Sequence, residues 1–462
     1  MFQPNSKKPA MTAGLFASFM LAQLLILRMG NQAGRGLLTE PQQELVYLFL
    51  QCAVIPGFLI HAPVFRRLKG RRGYAALVTA AAILCCTGGV IMLFAPCDTV
   101  MYLTVTGLTV FFLGITGGAV YLKLAFLSEN AAYAGLSLGA GYAAAVAMQY
   151  FLQLRWTVKP ALFVLLALCC GSITFVLRVP LPAPNAGPSP RRPKAAGKEL
   201  AFAAAVTFAL LLFTSFYNGY INRLQVATGY TDYNVYTWPR LLMIPTVLLF
   251  GLLGDVREGR YLPLGALCVS AVAILNTSLL ARETYLLNMC LYYVSLSAVI
   301  VFYHLVFLRM ASRSGNPALW APMGRVLDSV NVLFCFALRL PDRAQAAVLL
   351  VEIAALSAAV GLMAVGGAFD LSNRVPAAQP DATPPPKPAA DPFEVLRDRY
   401  GLTPGELRVF RELVTTEDKQ NVIGDRLSIK VRTVQANVTA IYRKTGVSTR
   451  AGLVQLFQGI GS

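Results

Sequence analysis

Two groups of residues in this 462-residue chain have the types and spacing to do chemistry. One lies near the carboxy end. From Val431 to Lys444, Val434, Val438, Ile441 and Tyr442 recur at helical spacing, which leaves Lys430, Arg432, Thr433, Gln435, Ala436, Thr439, Arg443 and Lys444 on the opposite face. That mixture suits a helix lying in a DNA major groove: cations meet phosphates, an amide reads adenine, and small groups accept thymine methyls. The other group is a set of charges inside apolar runs, namely Arg325, Asp328 and Glu352, with Arg240 near the mouth of a run. A charge at membrane depth costs several kcal/mol unless it is paired or hydrated, so these are candidates for ligand binding. Arg325 and Asp328 stand three apart on one helical face, which also fits a plain structural ion pair.

The elements that must position the first group follow from local signals. Thr403-Pro404-Gly405-Glu406 is a capping box with proline at the first helical position, and Leu407, Phe410 and Val414 continue as a buried stripe. A second helix is expected over about Asp418 to Leu427, with Val422, Ile423 and Leu427 inward, and a third over about Val431 to Lys444. Thr449 is placed to cap a fourth, carrying Leu453, Val454, Leu456 and Phe457.

Leu402-Thr403, Glu406, Ile423, Leu427, Ile429, Thr433-Val434, Ile441, Lys444 and Gly446-Val447 fall at the spacing of one pattern. The stretch resembles the LuxR-type (FixJ/NarL-like) helix-turn-helix DNA-binding domain. The resemblance implies that Gln435, Ala436 and Thr439 point at base edges, that Lys430, Arg432, Thr433 and Lys444 approach phosphates, and that the fourth helix forms a homodimer on DNA. Three departures stand out: Lys430 where a serine normally caps the recognition helix, Gln435 for the usual lysine and Asn437 for the usual histidine. A helical protein-docking module is the alternative. The balance of eleven Lys/Arg against seven Asp/Glu over 393–462 is compatible with either.

The rest of the chain is unlike a soluble regulator. Apolar residues make up 56%, charged residues only 13%, and the mean hydropathy is +0.58; soluble domains carry about 25% charged residues. The apolar residues gather into twelve runs of bilayer-spanning length. Six lie near 11–29, 43–62, 74–95, 100–122, 131–153 and 158–178, and six near 200–221, 236–254, 261–281, 285–308, 318–340 and 344–368. Lys7 and Lys8 imitate the start of a signal peptide, but no clear small-residue cleavage site follows, so the first run reads as an uncleaved helix. The net charge of +18 is unevenly spread. With the amino terminus inside, cytoplasmic segments before the tail hold 17 Lys/Arg and external ones 8. The positive-inside rule then puts both termini in the cytoplasm, where a DNA-binding tail would need to be. None of the nine cysteines has C-x-x-C spacing, and they read as small apolar packing residues. No metal cluster or cofactor motif is visible, and no soluble segment holds a paired catalytic constellation, so an enzyme is not expected.

The runs divide six and six around a proline-rich basic stretch, Arg178 to Lys198. After run eight, Gly251-Leu252-Leu253-Gly254-Asp255-Val256-Arg257-Glu258-Gly259-Arg260 recurs in weakened form after run two, where Arg67 stands in place of the aspartate. This plan resembles the major facilitator superfamily. The fold expected is all-α: a polytopic membrane protein of twelve transmembrane helices followed by a four-helix helix-turn-helix domain. Its parts are a sensor-like domain over 1–370 (halves 11–178 and 200–368), a central cytoplasmic loop over 179–199, a proline-rich linker over 371–392 and the DNA-binding domain over 393–462. Gly114-x-x-x-Gly118 and Gly135-x-x-x-Gly139 predict close helix approach. Asp328 and Glu352 are expected at similar depth on an antiparallel pair, one guanidinium facing two carboxylates. His304 reads as a packing or interface residue, while Tyr217, Asn218, Tyr220 and Asn222 are candidates to line a cavity. The linker holds seven prolines over 375–392 and can span roughly 50 Å at about 3.1 Å per residue. The function expected is a one-component transcriptional regulator in a bacterial inner membrane, with an unidentified small-molecule ligand, the lipid bilayer and double-stranded DNA as partners. The alternative is a secondary transporter with a regulatory tail.

Overall fold

The computed structural model describes residues 7–34, 37–68, 72–129, 131, 133–155, 158–179, 197–228, 238–259, 261–277, 284–337, 345–365 and 392–461. The central loop and the proline-rich linker lie almost wholly outside the described residues. Every regular element among the described residues is helical, and the chain divides into two compact units, Met1–Val375 and Pro376–Ser462.

The first unit is a multi-pass membrane bundle. Its helices are α1 (Lys7–Gly34), α2 (Glu40–Leu68), α3 (Arg72–Phe94), α4 (Thr99–Ser128), α5 (Ala134–Arg155), α6 (Lys159–Arg178), α7 (Gly197–Thr228), α8 (Met243–Asp255), α9 (Leu262–Thr277), α10 (Tyr285–Arg313), α11 (Pro317–Trp320), α12 (Met323–Ala337) and α13 (Gln345–Val365). Each of the twelve expected runs contains a helix. Among the described residues, seven helical segments are long and apolar enough to cross a bilayer: α1, α2, α3, α4, α6, α10 and Trp238–Asp255. Run eleven, expected as one helix, is broken into two. Pro322 has no N–H to extend α11, and the ladder restarts when Arg325 and Val326 donate to the Pro322 carbonyl at 2.9 and 3.1 Å.

Glycine spacing sets the closest packing. A Cβ on Gly135 would sit 2.4 Å from the Gly251 carbonyl oxygen, one on Gly139 2.4 Å from that of Val247, and one on Gly251 2.6 Å from that of Gly135. Backbones of α5 and α8 therefore meet directly, joining the two halves. Gly114 does the same for α2 and α4, where a Cβ would lie 2.6 Å from the Val54 oxygen. Asp255, at the end of α8, fastens the α5 seam: its carboxylate accepts from the Gly135 and Leu136 amides, both at 2.7 Å. Those amides are orphan donors of the α5 first turn, so the carboxylate satisfies the backbone and complements the helix dipole together. Arg309 of α10 donates to the Gly254 carbonyl at 3.0 Å and lies 3.5 Å from Asp255.

The second unit has its own core, built on Leu396, Val409, Phe410, Leu413, Ile423, Val434, Ile441 and Leu453. Its helices are α14 (Pro392–Tyr400), α15 (Pro404–Thr415), α16 (Gln420–Arg426), α17 (Val431–Thr445) and α18 (Arg450–Gly461). The capping box forms as its sequence dictates, Thr403 N–H to the Glu406 carboxylate at 2.7 Å and Glu406 N–H to the Thr403 hydroxyl at 3.3 Å. α17 ends on Gly446 at φ 73°, a left-handed position that suits glycine. Arg450 at the start of α18 donates to the carbonyls of Leu413, Asp418 and Thr416, tying that helix to the α15–α16 connection. One expectation fails here: Val422 is 40% exposed, because α16 is short and turns only Ile423 and Gly424 inward.

Candidate functional site

Deep in the bundle, α12 presents Arg325 one turn after the Pro322 break. Its guanidinium donates to Asp328 at 2.6 Å and to the Tyr303 hydroxyl of α10 at 3.4 Å. The Nε–H of Arg325 is buried without a hydrogen-bond partner among the described residues. The same unit buries Tyr121 (α4), Tyr142 (α5) and Tyr292 and Tyr303 (α10), of which Tyr303 touches the pair.

His304 packs into the same cluster, 4.3 Å from the Tyr303 ring and 5.0 Å from Phe16 between centroids. Its Nδ1 meets the Ile300 carbonyl at 2.7 Å and its Nε2 the Tyr121 hydroxyl at 2.8 Å. A carbonyl only accepts, so Nδ1 carries the proton and Tyr121 donates to Nε2. Both ring nitrogens are used, in keeping with a packing residue.

Glu352 departs from expectation. The Arg325 guanidinium does not face it: α13 packs on α7 and α9, whereas α12 packs on α2, α7 and α10. The two last helices of the bundle are thus not the antiparallel pair that their adjacency in sequence suggests, and α7 contacts both. Glu352 is 1% exposed, and neither carboxyl oxygen has a hydrogen-bond partner among the described residues. The side chains of Tyr217, Asn218, Tyr220 and Asn222 lie outside the described residues.

In the C-terminal unit the polar face of α17 is open. Lys430, Arg432, Thr433, Gln435, Ala436, Thr439 and Arg443 are all exposed, opposite the buried Val434, Val438 and Ile441. Lys430 occupies the N-cap with no side-chain bond to the helix, as expected of a lysine in a serine's place. α16 and α17 are joined by a short turn in which Ser428 adopts φ 53°. Lys444 differs from its neighbours. Its ammonium bonds the Glu406 carboxylate at 2.7 Å and the Gly401 carbonyl at 2.9 Å, and its side chain is 27% exposed. These bonds hold α17 to the start of α15.

No protein-family model and no curated protein matches the chain. Solved structures do resemble it. A single-residue variant of the E. coli fucose:proton symporter FucP is 13% identical with a TM-score of 0.52, covering 78% of this chain and 99% of that one. FucP in the outward conformation gives a TM-score of 0.55 at 13% identity, over 77% and 98%. The major facilitator superfamily proton:xylose symporter XylE, bound to 6-bromo-6-deoxy-D-glucose, gives 0.53 at 13% identity, over 79% and 97%. At this identity the likeness establishes the fold: the membrane unit is a major-facilitator-type bundle.

Proposed function

We propose that the bundle binds a small polar solute at the Arg325–Asp328–Tyr303 cluster, and that the protein works as a secondary transporter whose C-terminal unit regulates it. The observation carrying this reading is Arg325, whose side chain is 13% exposed and whose buried Nε–H has no hydrogen-bond partner among the described residues, in a fold shared with solute symporters. A buried donor without an acceptor costs about 1–3 kcal/mol, which a solute oxygen would relieve. Uptake into vesicles containing the full chain tests it, with a panel of labelled monosaccharides as the first probes. Uptake that disappears in Arg325→Gln is the expected result; a panel extended to carboxylates and amines with no uptake at all would refute transport.

A second reading is favoured by the open face of α17. Seven of the eight residues expected to meet DNA are exposed there, on a helix preceded by a short helix and a tight turn. In this reading the chain is a membrane-embedded regulator. The solute shifts the bundle between conformations, α17 enters a major groove, α18 pairs two copies, and both termini are cytoplasmic. Linkage requires the solute to favour one bundle state by a few kcal/mol. Genome-wide DNA occupancy of the full chain separates the readings. Discrete peaks lost in Arg443→Ala support a regulator, and no peaks under several growth conditions leave the transporter. Gln435→Ala would relax base preference by about 1–3 kcal/mol if its amide reads a base.

A further inference from the structure

Helices α3 and α6 pack on each other in the first half of the bundle. They touch on the inner side at Gly89, where a Cβ would lie 2.6 Å from the side chain of the buried Leu166. Arg178 bonds Thr79 farther along, so the two helices run antiparallel. On the outer side they part, and a groove of about 530 Å³ lies between them, from Thr79 and Thr174 at one end to Ile91 and Phe163 at the other. From Thr79 to Ile91 the rise of α3 is about 18 Å, comparable with the roughly 15 Å that the acyl chains of one leaflet fill. Large apolar side chains flank the groove, including Leu84, Val164, Leu168 and Phe175, all exposed, and in a membrane bundle such a surface faces lipid.

Three threonines belong to the lining, but each spends its hydroxyl donor within its own helix. Thr79 donates to the Ala75 carbonyl at 2.8 Å, Thr87 to that of Ile83 at 3.1 Å and Thr174 to that of Gly171 at 2.9 Å. Apart from the weakly polar thiols of Cys86 and Cys170, the rest of the lining is hydrocarbon. The charge stands at one mouth. Arg178, exposed in the last turn of α6, donates to the Thr79 hydroxyl at 3.3 Å and so sits at the end of the groove. Arg72 opens α3 on the same side, seven residues before Thr79 and on the same helical face. Lys123 of α4 donates to the Val179 carbonyl, next to Arg178. Neither α3 nor α6 carries an acidic residue, so these cations meet no carboxylate on either wall. At the opposite end the charges are mixed, Lys159 at the start of α6 and Asp98 just past α3.

We infer that this groove is a binding site for an anionic phospholipid, with an acyl chain between α3 and α6 and the headgroup phosphate on Arg178. Charge complementarity chooses the occupant. The Thr79 bond takes one guanidinium N–H of Arg178, and the planar fork has further donors for phosphate oxygens. Arg72 and Lys123 add positive field at the same mouth. A zwitterionic headgroup would bring its own ammonium against them, so a lipid of net negative charge is preferred. The alkyl chain below meets side chains that ask for no hydrogen bond. The site belongs to the first half of the bundle alone and stands whether or not the protein moves a solute.

The test is native mass spectrometry of the full chain, incubated in detergent with equal amounts of phosphatidylglycerol and phosphatidylcholine of matched acyl chains. One phosphatidylglycerol is expected to stay bound at collision energies that strip phosphatidylcholine. Arg178→Gln should lower that retention about tenfold, the loss of one hydrogen bond to a charged group. Arg66→Gln, exposed on α2 and outside the groove, should leave it unchanged. A Cβ on Gly171 meets nothing within 4 Å, so Gly171→Phe can put its ring into the groove and should displace either lipid. Equal retention of the two lipids, equal losses in Arg178→Gln and Arg66→Gln, or full retention in Gly171→Phe would each overturn the inference. The unsubstituted chain in vesicles gives a second readout that no folding defect can confuse. A phosphatidylglycerol with a photoreactive group in its acyl chain should label peptides from 79–91 and 163–174, and labelling confined to other helices would refute the site.

Discussion

Lys444→Ala is the substitution that best separates folding from binding in the C-terminal unit. It deletes an ammonium bonded to Glu406 at 2.7 Å and to the Gly401 carbonyl at 2.9 Å. The Glu406 side chain is 8% exposed, so the pair is shielded on the carboxylate side and partly open on the other. A hydrogen bond to a charged group contributes about 1.5–3 kcal/mol, and solvent at the lysine end favours the lower part of that range. Glu406 keeps its bond from the Thr403 amide, so the carboxylate is not stranded. A loss of about 2 kcal/mol follows. For a unit of this size, each kcal/mol moves the thermal midpoint by about 4–8 °C, giving a fall of roughly 8–16 °C. Because the unit has its own core, circular dichroism melting of residues 392–462 is a suitable assay, with Arg443→Ala alongside. Arg443 is exposed in the last turn of α17, and its loss should change stability by less than about 0.5 kcal/mol. Two variants melting together would refute the structural role and return Lys444 to a phosphate contact.

Other consequences can be checked in the same way. Burial raises the pKa of Glu406, but the Lys444 ammonium and the Thr403 amide and hydroxyl outweigh it and hold the carboxyl below its ordinary value of 4.5. Its stabilisation is therefore complete above that value and is lost as pH falls through the depressed one, so acid titration of the unit should be flatter in Glu406→Gln. Gly139→Ala places a methyl 2.4 Å from a backbone oxygen of α8 and should cost about 1–3 kcal/mol of bundle stability by thermal melting in detergent, whereas Gly14→Ala, with nothing within 4 Å, should be neutral. Glu352→Leu removes a buried carboxyl that has no partner among the described residues and should hold or raise the midpoint, by up to about 1–3 kcal/mol; a clear fall would mean that the carboxyl is satisfied in the folded protein.

Local chemistry is the part most readable from the chain. The Thr403–Glu406 box, the Gly446 stop and the Thr449 cap each depend on residues a few positions apart, and α15, α17 and α18 begin or end where those signals lie. The Gly135 and Gly139 spacing likewise marks a close approach, though not its partner α8. What escapes depends on contacts between distant segments. Adjacency of runs eleven and twelve assigns Glu352 to Arg325, but the bundle sets α13 against α7 and α9. Lys444 looks like its exposed neighbours because its periodicity puts it at the border of the buried face, and its partner Glu406 lies 38 positions away. Helix α14 escapes as well, because nine residues rich in charge, with Phe393 and Leu396 as the buried contacts, form a weak periodic signal.

The α5–α8 seam has a mechanical consequence. Gly135 and Gly251 each turn a bare Cα toward the other's carbonyl, the geometry of reciprocal Cα–H···O contacts, and Asp255 grips the α5 amides beside them. Advancing one helix past the other by a single residue would shift it about 1.5 Å, rotate the next side chain into the gap and break the carboxylate's grip. Sliding along this seam is therefore opposed by direct backbone contact and by the Asp255 hydrogen bonds together. The line along which the two halves lie closest is thus drawn by three missing side chains, at Gly135, Gly139 and Gly251.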